Sequence, residues 1–229
     1  MSRPDELAAG LAAVEDRITR ACTFAGRDRG EVTLVAVTKT WPAGDVALLR
    51  DLGVRDVGEN KDAEAAAKAR LVEGVRWHFV GRLQTNKARS VATYAEVVHS
   101  VDRERLATAL ADGAARAGRN VQVLLQVSLD GAPDRGGVPP AGLLPLAGRV
   151  AALEGLVLRG VMAVAPLGED PRAAFGRLAE AAVALRAAHP GATWVSAGMS
   201  NDLEAAVGAG ATHLRVGTAL LGHRAAVLR

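Results

Sequence analysis

The chain has 229 residues, 49% of them hydrophobic and 3% aromatic, with 28 basic and 25 acidic side chains for a formal charge of +3. That supplies a full core for one α/β barrel or two small domains, while the slight charge excess, without a basic run, stacking aromatics or zinc spacing, argues against nucleic-acid binding. The single cysteine, Cys22, excludes an internal disulfide, and with no membrane-length apolar run and no signal-peptide core the cytoplasm is the expected compartment.

Leu7, Leu11, Val14, Ile18 and Cys22 recur at helical spacing behind Pro4-Asp5-Glu6, so the chain opens on an amphipathic helix with Cys22 on its packed stripe. Residues 27–30 break it. Residues 32–39 then read as a buried parallel strand, with β-branched Val32, Thr33, Val35 and Val37 around Leu34 and Ala36, and with Lys39 at its carboxyl end. The pattern continues with a helix over 45–52, a strand over 56–60, an alanine-rich helix over 61–71, a strand over 77–81 and a helix over 86–94. A strand over 97–102, a helix over 103–117 and a strand over 121–127 lead into a proline- and glycine-rich loop over 132–140. A helix over 143–152, a strand over 156–164, a helix over 171–188, a strand over 193–197, a short helix over 201–209, a strand over 213–217 and a brief last helix complete it. Eight strands in strict alternation with helices, behind one extra helix, predict a single (β/α)8 TIM barrel spanning 1–229. An open doubly wound sheet is the weaker alternative, because no GxGxxG follows the first strand.

In such a barrel the chemistry sits at the carboxyl ends of the strands. Those ends carry Lys39, Glu59-Asn60, Ser196 through Asp202, and Arg215-Val216-Gly217-Thr218. Ser200 with its neighbour Met199, and Gly217 with Thr218, place hydroxyls and glycines just before helices, where backbone N–H groups bind phosphate. The plainer readings are that Ser200 or Asn201 caps a helix, that Gly217 ends a strand, and that Lys39 is the first solvated residue after one. Two such loops, facing a lysine across the closing seam of a barrel, favour a phosphorylated ligand. A lysine beside a phosphate cup suggests pyridoxal phosphate (PLP), whose aldehyde condenses with an amine. Arg215 would then donate to the ring nitrogen. Pairing with a barrel carboxylate such as Glu59, or added phosphate compensation, stays open for it. His78, His99 and His213 read as structural, His189 and His223 have no partners at metal spacing, and Tyr94 falls on a helix away from the mouth. Trp77 and Phe79, flanking His78, read as core.

Five segments together resemble the YggS/PROSC family of pyridoxal-phosphate homeostasis proteins: Ala36-Val37-Thr38-Lys39-Thr40, Gly58-Glu59-Asn60, residues 77–87, Gly198-Met199-Ser200-Asn201-Asp202-Leu203-Glu204-Ala205-Ala206, and Arg215-Val216-Gly217-Thr218-Ala219. The resemblance implies a monomeric barrel like the N-terminal domain of alanine racemase, with PLP held as an aldimine on Lys39. It assigns the phosphate to Ser200, Gly217 and Thr218, the pyridine nitrogen to Arg215 and the pocket wall to Asn60, with Met199 beside Ser200. Val57 replaces a common phenylalanine, and Asp134-Arg135-Gly136-Gly137 replaces a Ser-Lys pair, so no second amine is expected at Arg135. PLP-dependent apoenzymes are implied as possible partners. A carrier without turnover is the expected function. A racemase would need a second domain bearing an opposing acid, and an aldolase-like enzyme would leave purified protein without a chromophore.

Overall fold

The computed structural model describes residues 2–131 and 136–222. Eight parallel strands form its centre: β1 (Thr33–Val37), β2 (Asp56–Glu59), β3 (Arg76–Phe79), β4 (Val97–Val101), β5 (Val121–Gln126), β6 (Leu156–Met162), β7 (Trp194–Ser196) and β8 (His213–Val216). They pair in sequence order, and β8 closes onto β1 with Val35 opposite Arg215. The ring is a closed (β/α)8 barrel, which removes the open-sheet alternative. The helices are α1 (Arg3–Phe24), α2 (Ala43–Asp51), α3 (Asp62–Ala69), α4 (Ala88–Val91), α5 (Glu104–Ala117), α6 (Leu143–Ala151), α7 (Pro171–Ala188), α8 (Leu203–Gly208) and α9 (Thr218–Leu221). None of them is long and apolar enough to cross a membrane.

Most differences from the expected boundaries are fraying at element ends. Two have specific causes. The helix expected over 86–94 is a 3₁₀ turn at Thr85–Lys87 followed by the single turn of α4. Beyond it the Thr93 hydroxyl donates to the Ser90 carbonyl, a local bond that competes with helix continuation. The helix expected from 201 starts at Leu203, because the Asp202 carboxylate takes the Met199 N–H at 2.6 Å and holds residues 199–202 as a turn. Residues 132–135 and 223–229, including Arg135 and His223, lie outside the described residues.

The helix α1 is capped by Ser2 and Asp5, whose side chains and backbone N–H groups bond reciprocally. It packs on α2, α8 and α9. Gly10 permits this, since a Cβ there would stand 2.2 Å from the Leu220 carbonyl oxygen. Arg3 then spans to Asp45 and to the Leu221 carbonyl, and Arg17 to Glu204 and the Ser200 carbonyl. Cys22 is buried on this helix's packed side.

Strand alternation separates two interiors. Outward-facing Ala36, Val57, Trp77, Phe79, Val98, Leu125, Val161 and Leu214 pack against the helices in one apolar shell. Inside the barrel the apolar part is smaller: Val97, Leu124 and Met162 pack against Trp194, and Val35 and Val37 face inward from β1 beside Gly58. The rest is polar. His99 on β4 bonds Ser196 on β7 at 2.8 Å, a contact between non-neighbouring strands that only the barrel interior allows. His78 joins His99 at 2.8 Å and Asp56 at 2.7 Å, and His213 stacks on Trp194 with ring centroids 4.3 Å apart.

Burial pushes all three rings below their ordinary range. His213 falls to about 3, His78 is lowered with Asp56 offsetting part of the effect, and His99 is lowered well below the ordinary 6.5. The unfolded chain therefore takes up protons that the folded chain refuses. Stability from these groups is complete above pH 6.5 and is lost as pH falls toward about 3. Urea midpoints are expected to drop steadily across that window, and less steeply in His213→Phe, which keeps a ring on Trp194. A midpoint flat across the window would show that the rings protonate without unfolding the barrel.

Candidate functional site

β1 stops at Val37, two residues earlier than its sequence pattern suggested, so Lys39 stands in the turn beyond it and is exposed. Its neighbours are clamped. Thr38 is buried; its hydroxyl donates to Glu59 Oε1 at 2.7 Å, and its carbonyl accepts from Lys68 Nζ at 2.8 Å. Thr40 donates its N–H to Glu64 Oε1 at 2.6 Å and is held at φ 69°, which β-branched residues seldom adopt. Lys68 Nζ also reaches Glu59 and Glu64, each at 2.7 Å, so its three hydrogens meet three acceptors. Burial pushes the Glu59 carboxyl up, its bonds to Lys68 and Thr38 pull it back, and its Oε2 has no hydrogen-bond partner among the described residues. Glu59 thus faces α3, outside the barrel, and is not available to Arg215.

Arg215 is buried in the barrel interior. It donates through Nη1 to Ser196 Oγ at 2.5 Å and through Nη2 to the Ala163 carbonyl at 2.9 Å. Among the described residues it has no carboxylate partner, and burial lowers it to about 10, so it stays a cation at neutral pH. Three of its five N–H groups remain for a ligand.

The loops after β7 and β8 meet at the closing seam. Ala219 N–H donates to Ser200 Oγ at 3.1 Å, and Arg215 N–H to the Gly198 carbonyl at 2.9 Å. Gly217 lies against β1: a Cβ there would come 3.1 Å from the Val37 carbonyl oxygen. The seam therefore sets Gly217 beside the strand end that leads to Lys39. Thr218 and Met199 are exposed at its rim, with Ser200 half-buried between the loops. On the far side of β1, Asn60 follows β2 with a buried Oδ1 that has no hydrogen-bond partner among the described residues. Gly81 is pressed onto it, since a Cβ there would stand 2.5 Å from the Asn60 carbonyl oxygen. Asn60 also lines a cleft with Lys61, Arg82, Lys87 and Arg103, which gathers much of the 77–87 segment.

The fold thus gathers Lys39, Ser200, Gly217 and Thr218 around the β7–β8–β1 seam, with Arg215 inside the barrel and Asn60 beside β1. Chemically this is an accessible primary amine, a small-residue cradle with hydroxyl and backbone donors, and a buried guanidinium without a counter-ion. Sequence reasoning missed Lys68 and its acceptors. The signal was present in the Glu64–Lys68 spacing on an alanine-rich helix, but the same spacing is common on solvated faces. The 77–87 segment contributed one interior residue, His78, which is hydrogen-bonded as expected. Tyr94 lies outside the barrel with its hydroxyl 3.4 Å from Asp62.

The family described as alanine racemase, N-terminal domain, matches residues 10–225. The pyridoxal phosphate homeostasis protein of Mycobacterium tuberculosis (strain ATCC 25618 / H37Rv) is 46% identical over 243 residues, covering 97% of this chain and 94% of the relative. The chain belongs to the pyridoxal phosphate homeostasis protein family. The Escherichia coli (strain K12) member is 40% identical over 228 residues, covering 96% and 97% of the two chains. PipY of Synechococcus elongatus PCC7942, solved with PLP bound, superposes with a TM-score of 0.82 at 34% identity, covering 94% of this chain and 100% of PipY. Alanine racemase from Corynebacterium glutamicum, at 15% identity and a TM-score of 0.72 over 99% of this chain and 63% of its own, shares the fold.

Removing the ammonium from the clamp leaves Glu59 buried without its cation. Lys68→Met is expected to cost about 3–5 kcal/mol in urea unfolding at neutral pH. A loss below about 1 kcal/mol would mean that the pair behaves as a solvated one.

Proposed function

We propose that this protein binds pyridoxal 5'-phosphate on Lys39 and serves vitamin B6 homeostasis as a holder of the cofactor, without catalytic turnover. The names of its relatives and the PLP in PipY support the reading. The observation that carries it is the seam, where Gly217 packs on Val37 and brings an anion cradle to the turn bearing an accessible amine. The residues fit the group: Ser200 and Thr218 bring hydroxyls to the seam beside Gly217, Asn60 has an acceptor left without a partner among the described residues, and Arg215 is a buried cation with unspent donors. When bound, the cofactor supplies an aldehyde that combines reversibly with primary amines.

On this reading Lys39 presents its amine in a turn that cannot drift, because Thr38 and Thr40 are tied on either side of it. Ser200, Gly217 and Thr218 hold the phosphate, and Met199 stands at the rim beside them. Arg215 donates toward the ring nitrogen and disfavours a second positive charge there, which weakens the cofactor as an electron sink. Asn60 accepts from the ligand at the pocket wall. Racemase chemistry needs an acid on each face of the ring. The chain's one tyrosine, Tyr94, is instead bonded to Asp62, and burial together with that carboxylate raises its hydroxyl far from acid duty. PLP-dependent apoenzymes are the natural recipients of a cofactor held in this way.

Purified protein loaded with PLP is expected to absorb at the visible edge, and borohydride reduction followed by peptide mapping should place the pyridoxyl group on Lys39. Lys39→Ala should lose it. Label on Lys61 or Lys87, in the neighbouring cleft, would overturn the assignment. Long incubation of the same holoprotein with L-alanine in deuterated water should give no multiple-turnover deuterium or D-isomer; either would make it an enzyme.

The cradle has a separate test. Ser200→Ala and Thr218→Val are each expected to weaken PLP binding by about 1–3 kcal/mol, the loss of one charge-assisted hydrogen bond. Pyridoxal, without the phosphate, should bind wild type far more weakly than PLP. Equal affinity for the two would leave the seam with no anion to hold.

A further inference from the structure

A line of hydrogen bonds crosses the barrel interior from Asp56 to Arg215. Asp56, the first residue of β2, lies at the amino-terminal end of the barrel, opposite Arg76 on β3. Its Oδ1 faces His78 Nε2 at 2.7 Å and Arg76 Nε at 2.6 Å. His78 Nδ1 faces His99 Nε2 at 2.8 Å, His99 Nδ1 faces Ser196 Oγ at 2.8 Å, and Ser196 Oγ meets Arg215 Nη1 at 2.5 Å.

The donor direction at every link follows from the two ends. Burial works to raise the Asp56 carboxyl, but its bonds to His78 and Arg76 hold it below its ordinary value, so at neutral pH it is a carboxylate and can only accept. His78 therefore carries its hydrogen on Nε2. Both rings are neutral, since burial lowers each, so His78 Nδ1 is a bare acceptor and His99 must donate to it from Nε2. That leaves His99 Nδ1 bare, and the Ser196 hydroxyl gives its hydrogen there. The Ser196 lone pairs then face Arg215, which can only donate. At the other end the line runs one way from guanidinium to carboxylate, and reversing it would require a protonated Asp56 or an Arg215 that accepts.

We propose that Asp56 is a positioning residue for Arg215: through the tautomers of His78 and His99 it fixes the rotor of Ser196, and so pins the guanidinium between Ser196 and the Ala163 carbonyl. The proposal rests on the reading of Arg215 as the partner of the cofactor ring nitrogen. A planar fork held at two of its nitrogens has its remaining N–H directions set. Cut at Asp56, the same groups would still fill the barrel, but His78 could carry its hydrogen on either nitrogen, and the Ser196 hydroxyl hydrogen would no longer be held on His99.

The experiment starts with the cofactor-free protein, labelled with nitrogen-15 at histidine and arginine. Wild type is expected to show His78 and His99 neutral, each with its hydrogen on Nε2, around neutral pH. A ring with its hydrogen on Nδ1, or a protonated ring, would overturn the proposal. In Ser196→Ala and in the isosteric Asp56→Asn, the Arg215 N–H groups are expected to exchange with water faster than in wild type, and in Asp56→Asn His99 should sample both tautomers. An Arg215 disturbed by Ser196→Ala but untouched by Asp56→Asn would confine the effect to the last link and sink the role of Asp56. His78→Gln cuts the same line and replaces Asp56→Asn if that variant does not fold. In loaded protein both cuts should lower cofactor affinity about two- to tenfold, the worth of one hydrogen bond, and shift the visible band. Because the tautomers are read without cofactor, their failure is separate from a failure to trap PLP on Lys39.

Discussion

The Lys68 ammonium is the constraint on which the site depends. A cation removed from water survives only where its hydrogens are all matched. Here the matching groups are a strand-end carbonyl, a carboxylate from the next strand and a carboxylate from its own helix. Satisfying the ion therefore fixes β1, β2 and α3 relative to one another. It also leaves the intervening turn little freedom, which is how a threonine comes to sit at φ 69° directly after Lys39. The strain at Thr40 and the burial of Lys68 are two parts of one arrangement. A flexible surface lysine becomes one whose backbone position is set by its neighbours' hydrogen bonds.

The barrel divides its work between its two faces. Outside the strands, apolar side chains meet the helices, and this shell provides the hydrophobic stabilisation. Inside, barrels of this class are filled mostly by branched apolar side chains. This one keeps some of that filling, with Val35, Val37, Val97, Leu124 and Met162, and gives much of the remaining space to imidazoles, a hydroxyl, a carboxylate and a guanidinium. Such an interior adds little by area. It supplies direction, because each polar group restricts where the next can point.

Much of this was legible in the sequence. The β-branched run before Lys39, the alternation of eight strands with helices and the glycine-hydroxyl loops near the end led to the barrel, its mouth and the seam. Trp77 and Phe79 around His78 correctly separated the faces of β3. What could not be read was partnership across space. Glu59 was a plausible mate for Arg215 because both lie near strand ends; strand alternation turns one outward to α3 and the other inward to Ser196. His99 and Ser196 are 97 positions apart and meet only because the sheet closes. Lys68 in an alanine-rich helix resembles any solvated lysine until β2 brings Glu59 beneath it. Helix ends failed where hydroxyl or carboxylate side chains took over local backbone bonding, as at Thr93 and Asp202.

The extra helix at the front carries a consequence for how the protein is made. Synthesis delivers α1 first, yet the surfaces it docks on include α8 and α9, and the carbonyls it ties down belong to Ser200 and Leu221, near the other end of the chain. Until those segments leave the ribosome, α1 lacks these docking partners and β1 lacks β8. The seam between β8 and β1 is therefore among the last features of the fold to form. Lys39 is thus made, and exposed, well before the seam that sets Gly217 beside β1 can close.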